Sequence, residues 1–396
     1  MAELEQNPGD KRRAYSGPAF FSHGFRPFFF SAALFAGLAI PLWMAAFTHG
    51  YRIGADGDAL GWHAHEMIFG YVGAVVTGFI MTAIPNWTGR LPVMDTPLAL
   101  LFVLWLAGRV VMFIGGNAAV IAVVDCLFLF AVMGLAWREV IAGQNWRNIP
   151  ICALITLFAV SNLIWHAEPA LNLPYQAGQR LALALITILM MLIGGRIIPS
   201  FTTNWMKKQG MLPLPISFNL FDKMTLLISA LVMTCWIMAP TFIVTGWGFL
   251  IIAALHLVRL VRWCGWAVAR DPLVLVLHIA YIWIPASFGM IGLAILRPDI
   301  LTAAHALHAL TTGAIGQLTM AVMTRASLGH CGRELRAGTG TVVIYLLIFI
   351  GALLRIILPF GDMGYALAMS IAGMVWASGF LLFAILYGPM LFAPRR

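Results

Sequence analysis

Long apolar runs recur along the chain, separated by short polar or basic segments. Each run is roughly 18–22 residues, enough to cross about 30 Å of hydrocarbon as a helix. The runs predict twelve spans, at 28–48, 64–84, 97–115, 118–137, 149–167, 178–198, 222–240, 242–262, 273–295, 303–324, 340–358 and 365–390. The ten-residue alternation expected of a membrane β-barrel is missing. The pattern therefore predicts an all-α polytopic membrane protein. Residues 1–27 form an N-terminal cytoplasmic segment, and 28–396 form a single twelve-helix domain. The longest connections, about 196–222 and 325–339, are too short for a soluble domain. The first 27 residues are polar and basic, with no short apolar core and no cleavage site. The first span is thus expected to direct insertion itself.

Composition agrees. The chain is 61% hydrophobic and 10% charged, against about 25% charged for a soluble domain. Its net charge of +9 invites a nucleic-acid partner, but its distribution favours another origin. With the N-terminus inside, the outer loops receive only Arg52 and Arg297. Nearly every other Lys and Arg falls on the inner side, from Lys11, Arg12 and Arg13 to Arg395 and Arg396. This asymmetry predicts both termini in the cytoplasm and an even number of spans. It reads the charge as topology, with the lipid bilayer as partner and no nucleic acid. Five scattered cysteines form neither C-x-x-C nor C-x-x-C-H, so a thiolate zinc site and covalent haem are both disfavoured. A weak repeat shows where spans 2, 6 and 10 leave the membrane, through Pro85-Asn86-Trp87-Thr88-Gly89-Arg90, Gly194-Gly195-Arg196 with Thr203-Asn204-Trp205, and Met323-Thr324-Arg325 with Gly329-His330. It is compatible with three quasi-equivalent four-helix units.

Ionisable residues inside spans are costly and mark function by default. Glu66 and Asp125 are the clearest intramembrane acids. Arg109, Arg180 and Arg355 all fall in the outer halves of their helices, which points to an anionic partner there. Two other readings are snorkelling to the interface and pairing with Asp125 or Glu66.

The histidines sharpen this picture. His49, His63, His65, His166, His305 and His308 lie at the outer boundary, six of the ten in the chain. Trp62-His63-Ala64-His65-Glu66-Met67 opens span 2. On a regular helix His63 and His65 stand about 200° apart, so they face two different groups. His305 and His308 share a face, as do His63 and Glu66. Imidazoles without competing thiolates suit a redox metal, so His63, His65, His166, His305 and His308 are candidate outer ligands. On the inner side His256 and His278 fall at similar depth on consecutive antiparallel spans. That placement suits axial ligation of a haem, with Arg259 or Arg262 near its propionates. A proton relay in a transporter is the alternative. It is disfavoured because the inner halves hold almost no carboxylates. Protons would reach the outer half more easily, with Glu66 the candidate donor.

Six stretches together resemble the NnrS family over nearly the whole chain. They are His23-Gly24-Phe25-Arg26-Pro27-Phe28-Phe29, the Trp62–Met67 motif, Pro85–Arg90, Gly194-Gly195-Arg196-Ile197-Ile198-Pro199 with Phe201-Thr202 and Asn204, His308-Ala309-Leu310-Thr311-Thr312-Gly313-Ala314-Ile315-Gly316, and Met323-Thr324-Arg325 with Leu328-Gly329-His330 and Gly332-Arg333. The resemblance implies a bacterial inner-membrane protein containing haem and copper, produced in response to nitric oxide and protective against nitrosative stress. The family's motif histidines match His23, His63, His65, His308 and His330. His256, His278 and Arg109 sit in family-like surroundings, whereas His305 is less typical of the pattern. Twelve helices and outer-half histidines also resemble haem–copper oxidases and nitric oxide reductases, at the level of fold only.

The expected function is consumption of nitric oxide, by reduction to nitrous oxide, at a non-covalent b-type haem and copper. Electrons would come from quinol or a separate periplasmic carrier. Glu66 would be the catalytic proton donor. His256 and His278 would bind haem, with Arg109, Arg180, Arg259 and Arg355 around the cofactor. The alternatives are a non-catalytic haem protein that binds or senses nitric oxide or handles metal, and a membrane transporter.

Overall fold

A computed structural model describes residues 16–54, 57–173 and 176–395. Lys11, Arg12, Arg13 and Arg396, used above to orient the chain, lie outside the described residues. The described chain is helical and runs through twelve rods: α1 (Phe25–His49), α2 (Ala59–Thr88), α3 (Thr96–Ile114), α4 (Ala118–Ala142), α5 (Ile149–Leu171), α6 (Ala177–Lys208), α7 (Leu220–Met238), α8 (Ile243–Val261), α9 (Pro272–Leu296), α10 (303–330), α11 (Thr339–Ile357) and α12 (Tyr365–Phe392).

The ends follow capping chemistry more than hydropathy. Asp58 caps α2, its carboxylate accepting the Gly61 N–H at 2.9 Å. This starts α2 several residues before its apolar run and puts the Trp62–Met67 motif inside the helix. α6 continues through Pro199 to Lys208, well past the expected residue 198. Asn219 and Asp222 form a reciprocal capping box at α7.

Eleven rods are long and apolar enough to cross a membrane. The exception is α10, which carries Thr311, Thr312, Gln317, Thr319, Thr324 and Arg325 and reaches His330, beyond the expected 324. It is nonetheless deeply packed, with Gln317, Thr324 and Ser327 buried. A rod surrounded by other helices needs little lipid-facing hydropathy, because polar groups can be matched inside the bundle, although Gln317 Oε1 and the Ser327 hydroxyl are not. Thr324 and Tyr345 hydroxyls, 2.6 Å apart, are one such match.

Neighbours in sequence pack side by side, and the series closes where α12 packs on α1. At that seam Arg26 donates to the carbonyls of Leu391 and Ala393 at 2.8 and 2.5 Å. The start of α1 and the end of α12 therefore share one end of the bundle, as an even number of crossings requires. Among the eleven apolar rods α2 and α6 are the most enclosed, with 78% and 61% of their apolar windows buried, against 28% for α7. α2, α6 and α10 meet around an apolar cavity of about 560 Å³ lined by Val75, Phe79, Met190, Ile193, Leu318 and Val322. Beside it the Tyr71 and Thr319 hydroxyls, 2.5 Å apart, join α2 to α10.

α2 and α10 share a second feature. Each begins as α-helix and passes into a π-helical segment at the residue after its last histidine, at Glu66–Val72 and Ala309–Ile315. Wide π turns loosen the helical hydrogen-bond ladder and cluster at functional sites. In both, a carbonyl of the segment accepts an indole N–H from a neighbouring helix. Gly70 accepts from Trp105 of α3 at 2.9 Å, and Thr312 accepts from Trp376 of α12 at 3.1 Å.

Candidate functional site on two faces of α2

His63 and His65 lie in the regular α-helical start of α2, so their side chains leave it in nearly opposite directions. Two polar constellations result at the same end of the bundle.

On one face, His65 and Glu66 turn toward α3, α4 and α5; Glu66, where the π segment begins, thus joins His65 and not His63, with which regular helical spacing groups it. The guanidinium of Arg109 bridges Glu66 and Asp125, giving one N–H to each carboxylate, and its Nε faces the Trp105 carbonyl. His65 Nδ1 lies 3.0 Å from Glu66 Oε1. Its Nε2 lies 3.1 Å from Asp125 Oδ2 and 3.0 Å from Asn162 Oδ1. His166 Nε2 reaches the same Asp125 oxygen at 3.0 Å, and Asn162 donates to it at 2.8 Å. His65, Glu66, Arg109, Asp125 and Asn162 are all buried, and only His166 has an exposed edge. His65, Asp125 and His166 each offer a ligand atom within 4.8 Å of the others. Arg109 is thus committed to two carboxylates, the pairing reading rather than that of a cofactor partner.

On the other face, His63 and His308 line one cavity of about 380 Å³ together with Ile40, Trp43, Arg355 and Trp376. Both also line an adjoining cavity of about 430 Å³ that reaches Tyr71 and Leu183. The His63 ring stacks on Trp43 with centroids 4.2 Å apart, and its buried Nδ1 has no partner. His308 Nδ1 lies 2.7 Å from the Ala304 carbonyl and donates to it. That bond fixes the tautomer and leaves Nε2 with the lone pair. Arg355 Nη2 approaches the same Nδ1 at 3.2 Å, but cannot donate to a nitrogen that carries a proton. Its Nη1 is buried without a partner, and among the described residues no carboxylate pairs with it. Tyr365 also hydrogen-bonds this guanidinium, but a buried guanidinium in lipid with no anionic partner is still costly.

The remaining expected residues fall elsewhere. His305 shares the α10 face with His308 but reaches neither of the two cavities just described. Its Nδ1 lies 2.5 Å from the Thr302 hydroxyl and its ring rests on Phe360. Arg180 Nε faces the Ile237 carbonyl of α7 at 3.4 Å. In the other half of the bundle, His256 has both nitrogens engaged, by Ser229 at 3.0 Å and Tyr281 at 2.9 Å. Arg259 is held by Asp222, Tyr281 and the Met191 carbonyl. His278 turns instead to Thr202 of α6, at 2.8 Å. The two rings therefore meet different helices and share no partner. Trp43, Asn162 and Trp376 join the candidate site without having been foreseen. Asn162 was visible as a lone amide in an apolar run, whereas nothing separates Trp43 or Trp376 in sequence from interfacial tryptophans.

A search of curated proteins returns no match. The profile of the NnrS protein family covers residues 19–395, nearly the whole chain. The residues on both faces of α2, Glu66 to His166 on one and His63, His308 and Arg355 on the other, all lie inside that match. The chain belongs to the NnrS family, multi-pass membrane proteins linked to the nitric oxide response.

Proposed function

We propose that the protein is a haem- and copper-containing enzyme of the bacterial inner membrane that reduces nitric oxide to nitrous oxide in defence against nitrosative stress. The observation that carries this reading is the cavity shared by His63 and His308, with the buried Arg355 guanidinium at its wall. Its chemistry fits a haem. An imidazole lone pair suits the iron, the walls of Ile40, Met369 and Trp376 suit an apolar macrocycle, and an arginine with a free Nη1 and no carboxylate beside it suits a propionate.

Bound there, haem and copper would supply the one-electron chemistry that joins two nitric oxide molecules. The balance is two nitric oxide, two electrons and two protons in, one nitrous oxide and one water out. The chain's own residues hold and exclude. Trp43 stacks on His63 and fixes its ring plane, and the Ala304 carbonyl fixes His308. The apolar cavity among α2, α6 and α10, which shares Val72 with the His63–His308 cavity, suits a small neutral gas arriving from lipid. Glu66 would carry protons, its Oε2 having no partner in the buried network. Quinol or a periplasmic carrier would supply electrons, and a second haem at His256 and His278 would require both rings to leave their present hydroxyl partners.

Purified protein should show a reducible Soret band and consume nitric oxide anaerobically with a quinol donor. Stoichiometric binding without turnover would leave a nitric oxide binding protein instead. Absence of both haem and nitric oxide binding would leave the transporter reading.

A further inference from the structure

The network around Asp125 contains a donor deficit. His65 Nδ1 faces the Glu66 carboxylate, and Nε2 faces the Asp125 carboxylate and the Asn162 oxygen. A neutral imidazole has one N–H and cannot donate on both sides. His166 Nε2 points at the same Asp125 Oδ2, so two imidazole nitrogens converge on one carboxylate oxygen. Charge tells the same story. Glu66 and Asp125 carry two negative charges and Arg109 one positive, all buried. One further cation balances the group, either a second proton on His65 or a metal ion between its Nε2 and Asp125 Oδ2.

We infer that His65, Asp125 and His166 form a binding site for a divalent first-row transition metal, distinct from the His63–His308 cavity. The spacing fits. With metal–ligand bonds of about 2.1 Å, adjacent ligand atoms lie about 3.0 Å apart in octahedral and about 3.4 Å in tetrahedral geometry. The two edges that meet at Asp125 Oδ2 measure 3.1 and 3.0 Å. Two imidazoles and one carboxylate suit zinc, iron or copper and not the all-oxygen preference of calcium or magnesium.

The surroundings are those of a metal centre. Glu66 accepts from His65 Nδ1, which orients the ring and leaves Nε2 for the ion. Arg109 holds Asp125 through Oδ1, and at Oδ2 the ion would take the place of the Asn162 N–H. The partly exposed edge of His166 is the way in from the outer end. The site stands on its own ligands and does not depend on nitric oxide chemistry at the other face of α2.

The test uses the full chain in detergent, stripped by a chelator and dialysed against Zn2+ alone, which is silent in the visible range where haem absorbs. Bound zinc is counted per chain, and the X-ray absorption edge reads its ligands. The wild type should hold one zinc in a shell of nitrogen and oxygen at about 2.0–2.1 Å. Asp125→Asn and His166→Gln should lose it, Glu66→Gln should weaken it by about 10–100-fold, and His63→Ala and His308→Ala should retain it. His166 sits at the rim, so His166→Gln keeps the test decisive if Asp125→Asn fails to fold. Zinc uptake unchanged in His166→Gln, a wild type that takes up none, or zinc lost only from the His63 and His308 variants would each overturn the assignment. Zinc binding as expected in a protein that never consumes nitric oxide would count against the enzymatic reading alone.

Discussion

The two faces of α2 differ in how completely their polar atoms are matched. Toward α3, α4 and α5, a guanidinium, two carboxylates, two imidazoles and an amide contact one another, and Glu66 Oε2 alone lacks a partner. Toward α1, α10 and α11, His63 Nδ1 and Arg355 Nη1 are buried without partners beside a cavity. The first face is held by its own charges, so its members should matter to folding. The second is left incomplete by the chain, so its members should matter to what binds there.

The sharpest way to break this contrast is Arg109→Leu. It strands Glu66 and Asp125 as buried carboxylates, and breaking a buried pair in this way costs about 3–5 kcal/mol. A steep fall in monodisperse yield and in thermal midpoint is expected; a variant as stable as wild type would mean the face is not an electrostatic unit. Next is Gly178→Ala. Its methyl would press on the α5 backbone at Ser161 and Trp165, either side of Asn162 and one residue before His166. Overpacking there should cost about 1–3 kcal/mol, read as a lowered unfolding midpoint together with weakened zinc uptake.

Smaller still is Tyr71→Phe, which removes the link to Thr319 between α2 and α10. A loss of about 1 kcal/mol is expected. The least destabilising changes should be His63→Ala, His308→Ala and Arg355→Met, each within about 1 kcal/mol of wild type. These same three should lower haem per chain, measured by the pyridine haemochrome. Arg355→Met that keeps its haem and loses several kcal/mol would reverse the comparison.

Much of this was legible in sequence, for identifiable reasons. The spans follow from hydropathy, and the histidine pair in α10 marks a rod that hydropathy alone underrates. The opposed directions of His63 and His65 follow from helical geometry. Pairing of Arg109 with Glu66 and Asp125 was one of three readings, because a span's depth is legible while its rotation is not. For the same reason equal depth did not make His256 and His278 face each other. Each ring found a hydroxyl on a different neighbour, α7 for His256 and α6 for His278, and nothing local in the sequence specifies those contacts. The π segments were invisible, since their residues are as apolar as any other turn.

Those segments carry a consequence for how the site is inherited. A π turn holds one residue more than the α turn it replaces. Deleting one residue from 66–72 would close the wide turn to an ordinary one and leave the helix on either side nearly in phase. His63 and His65 would keep their directions, and a deletion in 309–315 would spare His308 in the same way. The same deletion in a regular stretch of either rod would swing the histidines by about 100°. Each rod therefore carries a residue of slack beside its histidines, and a single-codon loss should be milder there than elsewhere in the same rod.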